Sequence, residues 1–167
     1  MLLSSHEIDR LESSVANAFY CLDLDRVEEN LRQIESLFTA LYAETKIAYS
    51  YKTNYAPAIC RQVRDLGADA EVVSEMEYEM ALQVGHRGEE IIVNGPLHSR
   101  DFLERALLAG SRVNLDSWYM LDHLDAICHS HPQQEISIGV RLNYDIVEGG
   151  ASRFGFVVND ATMARLH

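Results

Sequence analysis

The chain has 167 residues, of which 47% are hydrophobic and 24% are charged, values typical of a soluble globular domain with its own core. Its net charge is −12, from 26 acidic and 14 basic residues. That charge excludes nucleic acid or an anionic membrane surface as the main partner, because both require clustered positive charge.

The three cysteines are Cys21, Cys60 and Cys128. They are too few and too widely spaced for a disulfide framework or a zinc site. No apolar run approaches the roughly 20 residues that cross a bilayer, and residues 1–12 lack the apolar core of a signal peptide. We therefore expect a cytoplasmic protein that binds no metal and does not enter a membrane.

Short apolar runs alternate with helical patterns along most of the chain. A strand-like run at Phe19–Leu24 comes first and is out of step with the rest. The later runs recur at intervals of about 20 to 24 residues, which suits one strand, one helix and two short loops. The predicted strands begin near Ile47, Glu71, Ile91, Val113 and Ile136.

Helical patterns with recognisable ends fill the intervals between the strands. Val27 and Leu31 begin an apolar stripe on one face of the first helix. Ser74 and Glu77 have the spacing of a capping box at the start of another helix, and Gly85 follows its last apolar residue. Glycine is the expected residue just past a helix because it accepts the left-handed conformation there.

Alternating strands and helices predict an α/β fold in which helices cover a parallel sheet. An open doubly wound sheet and a closed barrel both fit, and the steady interval favours the barrel. A complete (β/α)8 TIM barrel has eight units and about 250 residues, whereas only about five βα units are visible here. A fifth strand without a neighbour would expose its backbone edge. We therefore expect a partial barrel, and a chain that is a fragment or one part of a larger assembly.

The domain organisation follows from this partial barrel. Residues 1–24 are predicted to be an N-terminal segment whose strand pairs outside the barrel. Residues 25–167 are predicted to be the N-terminal part of the barrel itself. No linker, low-complexity run or charge block divides the chain further.

Polar residues collect where the predicted strands end, which is where barrels and open α/β sheets bind ligands. They include Asn94 after the third strand and Asn114 after the fourth. Lys52 is the most informative, because it follows the apolar run Ile47–Tyr51 and is expected to be poorly solvated. Poor solvation favours the neutral amine that Schiff-base formation requires. A solvated lysine at the start of a loop is the alternative interpretation.

The sequence around Lys52 and five later blocks resemble one family in the order of its motifs. The resemblance is to the alanine-racemase-like, fold-type III pyridoxal-phosphate enzymes, and within them to the diaminopimelate and ornithine decarboxylase group. It covers nearly everything from Phe19 to Phe156. The blocks are Ala48–Asn54, similar to Y-A-x-K-A-N; Leu66–Glu77, similar to G-x-x-x-D-V-x-S-x-x-E; Ile92–Pro96; Val113–Ser117; Gly139–Asn143, similar to R-x-N; and Ser152–Gly155, similar to S-K-F-G.

The resemblance implies a pyridoxal 5'-phosphate barrel and a role for three residues. Lys52 would form the internal aldimine, a Schiff base with the cofactor, and would later exchange with the amine of the substrate. Glu71 stands where the family has an aspartate near that lysine, so its carboxylate is one methylene longer and its reach differs. Arg141 stands where the family has an arginine near the cofactor's phenolic oxygen, although a structural ion pair inside the barrel is an alternative.

The implied activity is decarboxylation of a small-molecule amino acid by a full-length homodimer. The family's glycine-rich phosphate loop, its acid for the pyridine nitrogen and its second-subunit residues come later in the chain than His167. We therefore expect this chain alone to be inactive. A non-catalytic or regulatory homologue of the barrel is the main alternative, followed by an amino-acid racemase and, more remotely, a lysine-dependent aldolase.

Overall fold

A computed structural model of the chain describes residues 3–14, 18–144 and 153–166. The fold divides into two compact units, Met1–Lys46 and Ile47–His167. No helix within these described ranges combines the length and the apolar character that crossing a membrane requires.

The first unit contains two helices, α1 (Ser5–Ser14) and α2 (Leu24–Thr39). The carboxylate of Asp23 caps α2 by accepting a hydrogen bond of 3.0 Å from the backbone N–H of Arg26. Neither helix has a buried residue. The apolar stripe predicted on the first helical pattern is therefore present on α2, but it is not part of a packed core.

The strand predicted at Phe19–Leu24 does not form in the structure. Residues 19–23 have no regular secondary structure, and Leu24 already belongs to α2. A short extended run is stable as a strand only when another strand pairs with its backbone, and Asp23 instead caps the helix that follows. The predicted domain boundary between residues 24 and 25 stays a prediction. The same holds for pairing of the N-terminal segment outside the barrel.

The second unit repeats a strand followed by a helix, as the spacing of apolar runs predicts. A short 3-10 helix, Gly88–Glu90, precedes its third strand. The elements are β1 (Ala48–Ser50), α3 (Pro57–Asp65), β2 (Asp69–Val72), α4 (Glu75–Val84), β3 (Ile91–Val93), α5 (Arg100–Leu108), β4 (Arg112–Leu115), α6 (Trp118–Ser130) and β5 (Ser137–Val140).

These strands form one parallel sheet in the order β1-β2-β3-β4-β5. Each strand pairs with the strand that follows it in the chain, so the order never reverses as it does in a doubly wound sheet. Among the described residues, β1 and β5 each have a single neighbour in this sheet. The predicted α/β fold, a partial barrel of five units, is confirmed.

The end of the fifth strand is more complex than predicted. The run from Ile136 to Asn143 breaks at Arg141, whose N–H donates to Leu115 O while its carbonyl accepts from Phe156 N–H. The chain thus changes partners at this residue. The remaining elements are β6 (Leu142–Asn143), which pairs with β7 (Phe156–Val157), and α7 (Asp160–Leu166).

The two faces of the sheet differ in polarity, because apolar and polar side chains alternate along the central strands. One residue in two along β2, β3 and β4 is buried, and these residues are apolar, as Val72, Val113 and Leu115 illustrate. Burying one such side chain contributes about 1.5–3 kcal/mol. The helices supply matching apolar residues, which are Cys60, Tyr78, Ala81, Phe102, Leu103, Ala106, Leu107, Met120 and Ile127.

The ends of α4 confirm the predicted helix signals. Ser74 Oγ accepts from the N–H of Glu77 at 3.2 Å, and Glu77 Oε2 accepts from the N–H of Val73 at 2.7 Å. The reciprocal bond thus reaches one residue further back than in a standard capping box. Gly85 ends the helix with a φ of 105°, in the left-handed region.

Candidate functional site

A cavity of about 650 Å³ opens at the carboxyl ends of the strands in the second unit. Lys52, Glu71 and Arg141, the three residues singled out in the sequence, all line it. They come from the ends of three different strands. They meet at one cavity because parallel strands bring their carboxyl ends to the same edge of the sheet. Asn94, Asn114 and Phe154 also line the cavity.

Lys52 lies in the turn directly after β1, and its side chain is exposed. The expectation that it is poorly solvated is therefore wrong for this structure. Tyr51 occupies the buried position at this level of the sheet, with no exposed surface. Lys52 instead lines the cavity, together with the polar side chains of Glu71 and Asn94.

Glu71 is held in β2 by a donor on each of its carboxylate oxygens. Asn94 Nδ2 donates to Oε1 at 2.7 Å, and Ser50 Oγ donates to Oε2. The side chain is half-buried. The carboxylate at this position, one methylene longer than aspartate, is therefore engaged by the strands on both sides of β2.

Arg141 extends from the end of β5 and combines an ion pair with an aromatic contact. Its Nη1 lies 3.0 Å from Asp116 Oδ2, and the other oxygen of Asp116 accepts from the N–H of Gly155 at 3.1 Å. The guanidinium lies 5.1 Å from the ring centre of Phe154. The Arg141 side chain is half-exposed whereas Asp116 is buried. The ion pair considered as an alternative is thus present, and it holds a cation that still lines the cavity.

The backbone of Asn94 is fixed by the neighbouring loop. Its N–H donates to Val72 O at 2.7 Å, and its carbonyl lies 2.8 Å from His98 Nε2. Burial lowers the pKa of His98, so its ring is neutral near pH 7. Because a carbonyl only accepts, Nε2 carries the proton and donates it.

The sequence indicates that Asn94 and Asn114 lie at strand ends, but it predicts no role for them, for Ser50 or for Phe154. The alternation along each strand contains the missing signal. Glu71 in β2 and Asn114 in β4 each stand between two buried apolar residues, and Ser50 directly precedes the buried Tyr51. Ser152, in the last of the motif blocks, lies outside the described residues.

A family model described as "Pyridoxal-dependent decarboxylase, pyridoxal binding domain" matches residues 24–166. The chain is 26% identical to the diaminopimelate decarboxylase of Methanothermobacter thermautotrophicus over 96% of its own length and 39% of that protein. It is also 26% identical to the lysine/ornithine decarboxylase of Selenomonas ruminantium, again covering 39% of it. The chain thus spans about two-fifths of the length of these relatives.

Solved structures show the same fold. The diaminopimelate decarboxylase from M. jannaschii, solved with L-lysine, superimposes with a TM-score of 0.82 at 20% identity, over 93% of this chain and 39% of that one. The arginine decarboxylase of Paramecium bursaria Chlorella virus gives 0.74 at 20% identity, over 97% and 43%. The chain therefore belongs to the pyridoxal-dependent decarboxylase family, and residues 24–166 match its pyridoxal-binding domain, whose cofactor is pyridoxal phosphate.

Proposed function

We propose that this chain is the cofactor-binding part of an enzyme that decarboxylates an amino acid of the diaminopimelate or ornithine type, with Lys52 as the attachment point of the cofactor. The observation that carries the proposal is the meeting of Lys52, Glu71 and Arg141 at one cavity. A primary amine, a carboxylate and a guanidinium from three strand ends form a set suited to an aldehyde cofactor that also bears anionic oxygens.

The residues at the cavity fit pyridoxal phosphate on chemical grounds. The exposed amine of Lys52 is accessible to an aldehyde and would hold the cofactor covalently. Arg141 offers a fixed cation to an anionic oxygen of the cofactor, and Asp116 orients it through the 3.0 Å ion pair. When bound, the cofactor supplies an electron sink for the carbanion left by departing carbon dioxide.

The rest of the barrel is also part of the proposal. The unpaired edges of β1 and β5 among the described residues are places where further strands would close the sheet. In the full-length protein these strands would complete the cavity, and a homodimer would supply residues from a second subunit. The substrate is a small amino acid, and a cytoplasmic location stays a prediction.

A second candidate is a protein that binds the cofactor but does not decarboxylate. Two observations favour it: Glu71 replaces the expected aspartate, and both of its oxygens already accept hydrogen bonds from Ser50 and Asn94. A carboxylate occupied in this way has less freedom to contact a substrate. A racemase is set aside because the named curated relatives above are decarboxylases.

The test uses borohydride reduction of the full-length protein with pyridoxal phosphate, followed by peptide mass mapping. This chain has two lysines, Lys46 and Lys52, so the adduct has two possible places within it. We expect the adduct on Lys52, its loss in Lys52→Ala and its retention in Lys46→Ala. An adduct that persists in Lys52→Ala would overturn the proposal.

Release of carbon dioxide then separates the two candidates. The full-length protein is incubated with diaminopimelate, L-lysine and L-ornithine in turn, with Lys52→Ala as the matched control. We expect one of them to release carbon dioxide in a Lys52-dependent manner, and the 167-residue chain alone to release none. An adduct on Lys52 without any release would support the second candidate.

A further inference from the structure

A line of hydrogen-bonded side chains crosses the cavity face of the sheet. Asn114 Nδ2 in β4 donates to Asn94 Oδ1 at 2.6 Å, and Asn94 Nδ2 donates to Glu71 Oε1 in β2 at 2.7 Å. Ser50 Oγ in β1 donates to the second oxygen of the same carboxylate. Side chains at the ends of four consecutive strands are thus joined, and the carboxylate of Glu71 accepts from both directions.

The direction of the line is fixed by the carboxylate. An ionised carboxylate only accepts hydrogen bonds, so Asn94 must present its NH2 group to Glu71 and its oxygen to Asn114. Asn114 must then present its own NH2 group to Asn94. Each amide therefore has one permitted orientation, and that orientation depends on the charge in β2.

Two features of the backbone hold this arrangement in place. Gly139 lies opposite Asn114 in β5, and a Cβ on Gly139 would collide with Asn114 Oδ1, so glycine leaves room for the amide. The N–H and the carbonyl of Asn94 are both engaged, by Val72 O and by the ring of His98. The amide of Asn94 thus projects from a fixed backbone.

We propose that Asn94 and Asn114 are positioning residues that act through Glu71, holding its carboxylate in one orientation within the cavity that Lys52 also lines. The inference rests on the proposed attachment of the cofactor to Lys52. The other charged groups lining the cavity among the described residues are Lys52 and Arg141. A negative charge fixed in this space favours the protonated form of the nitrogen that links Lys52 to the cofactor.

The first test is Asn114→Asp, which replaces the donor at the β4 end of the line with an acceptor. The new carboxylate cannot donate to Asn94, so two acceptors face each other in either orientation of the Asn94 amide. Its oxygen faces the new carboxylate or, if the amide turns, the carboxylate of Glu71. We expect a lower melting temperature, with a larger loss at pH 8 than at pH 5, because protonation of one carboxyl restores a donor. Asn30→Asp on the exposed surface of α2 is the matched control and should change neither value.

The second test combines Asn114→Asp with Glu71→Gln. The line then runs in the opposite direction with every bond restored, so the melting temperature should return close to the wild-type value. The carboxylate, however, has moved from β2 to β4, about 10 Å at a strand spacing of about 4.8 Å. We expect about tenfold weaker binding of pyridoxal phosphate, and an absorbance titration of the Lys52 linkage whose midpoint moves to lower pH.

The outcomes distinguish a failure of the proposed function from a failure of the positioning role. If the wild-type protein gives no adduct on Lys52, the proposed function fails. If it gives the adduct, and the double variant recovers its melting temperature while keeping the wild-type titration midpoint, the line is structural only and the positioning role is wrong. If Asn114→Asp behaves like Asn30→Asp, or if the double variant is no more stable than Asn114→Asp, the directional line itself is wrong.

Discussion

The two faces of the parallel sheet differ in what their side chains do. The helix-covered face presents apolar residues such as Val113 and Leu115, which are buried in one continuous core. The cavity face presents Glu71 and Asn114, whose polar side-chain atoms are joined through Asn94. Since successive residues of a strand face opposite sides, the apolar and the polar residues are interleaved in the sequence. Residues that stabilise the core and residues that line the cavity are therefore separated by a shift of one position along a strand.

The largest expected effect comes from adjacent residues on opposite faces. Leu115→Ala removes a side chain that is 1% exposed, and we expect it to lower the free energy of unfolding by about 3 kcal/mol through the cavity it leaves. Asn114→Ala should lower the free energy of unfolding by about 1 kcal/mol, since it removes a neutral hydrogen bond. We expect it to weaken pyridoxal phosphate binding more than Leu115→Ala does. Urea unfolding and cofactor titration of both variants measure the difference. Equal losses of stability would remove the distinction between the faces.

A smaller effect is expected at the ion pair of Asp116 and Arg141, of which Arg141 lines the cavity. Asp116→Asn keeps an oxygen for the N–H of Gly155 but removes the charge opposite Arg141. Because the Arg141 side chain is half-exposed, solvent screening limits the cost to about 1 kcal/mol. We expect a clearer loss of cofactor affinity, measured by absorbance titration. Asp125→Asn, on the exposed surface of α6, is the control.

Much of the fold is readable from the sequence because the relevant signals are local. The interval between apolar runs predicts the five strands, and Ser74 and Gly85 mark the two ends of α4. The strand expected at Phe19–Leu24 fails because pairing depends on a distant neighbour, which the pattern of a single run does not contain. The stripe on α2 correctly indicates a helix but does not indicate whether that face is covered.

The site is less readable than the fold. Residue type and motif order single out Lys52, Glu71 and Arg141, and the structure brings all three to one cavity. The solvation of Lys52 could not be read from the preceding apolar run, because the side chain that is buried at the strand end is Tyr51. Partners of Glu71 lie 21 and 23 residues away in the sequence, so the line of hydrogen bonds emerges only once strand register is known.

The smallest expected effect concerns pH and His98, which links the two faces by packing on Phe102 and donating to Asn94 O. Burial lowers the pKa of His98, while its hydrogen bond to the carbonyl of Asn94 and the charge of Glu75 oppose this shift. The unfolded chain therefore binds a proton more readily than the folded one, near the usual histidine pKa of about 6.5. The folded protein has its full stability above that pH and loses part of it as the pH falls.

His98→Gln keeps an N–H donor for the carbonyl of Asn94 but does not titrate, so its stability should fall less between pH 7.5 and pH 5.5 than that of the wild type. The exposed His129→Gln is the control and should keep the wild-type slope. Urea unfolding at the two pH values measures each slope. Identical slopes for the wild type and His98→Gln would mean that folding does not change the proton affinity of His98. The His98 ring would then contribute to the cavity face through its hydrogen bond to Asn94 alone.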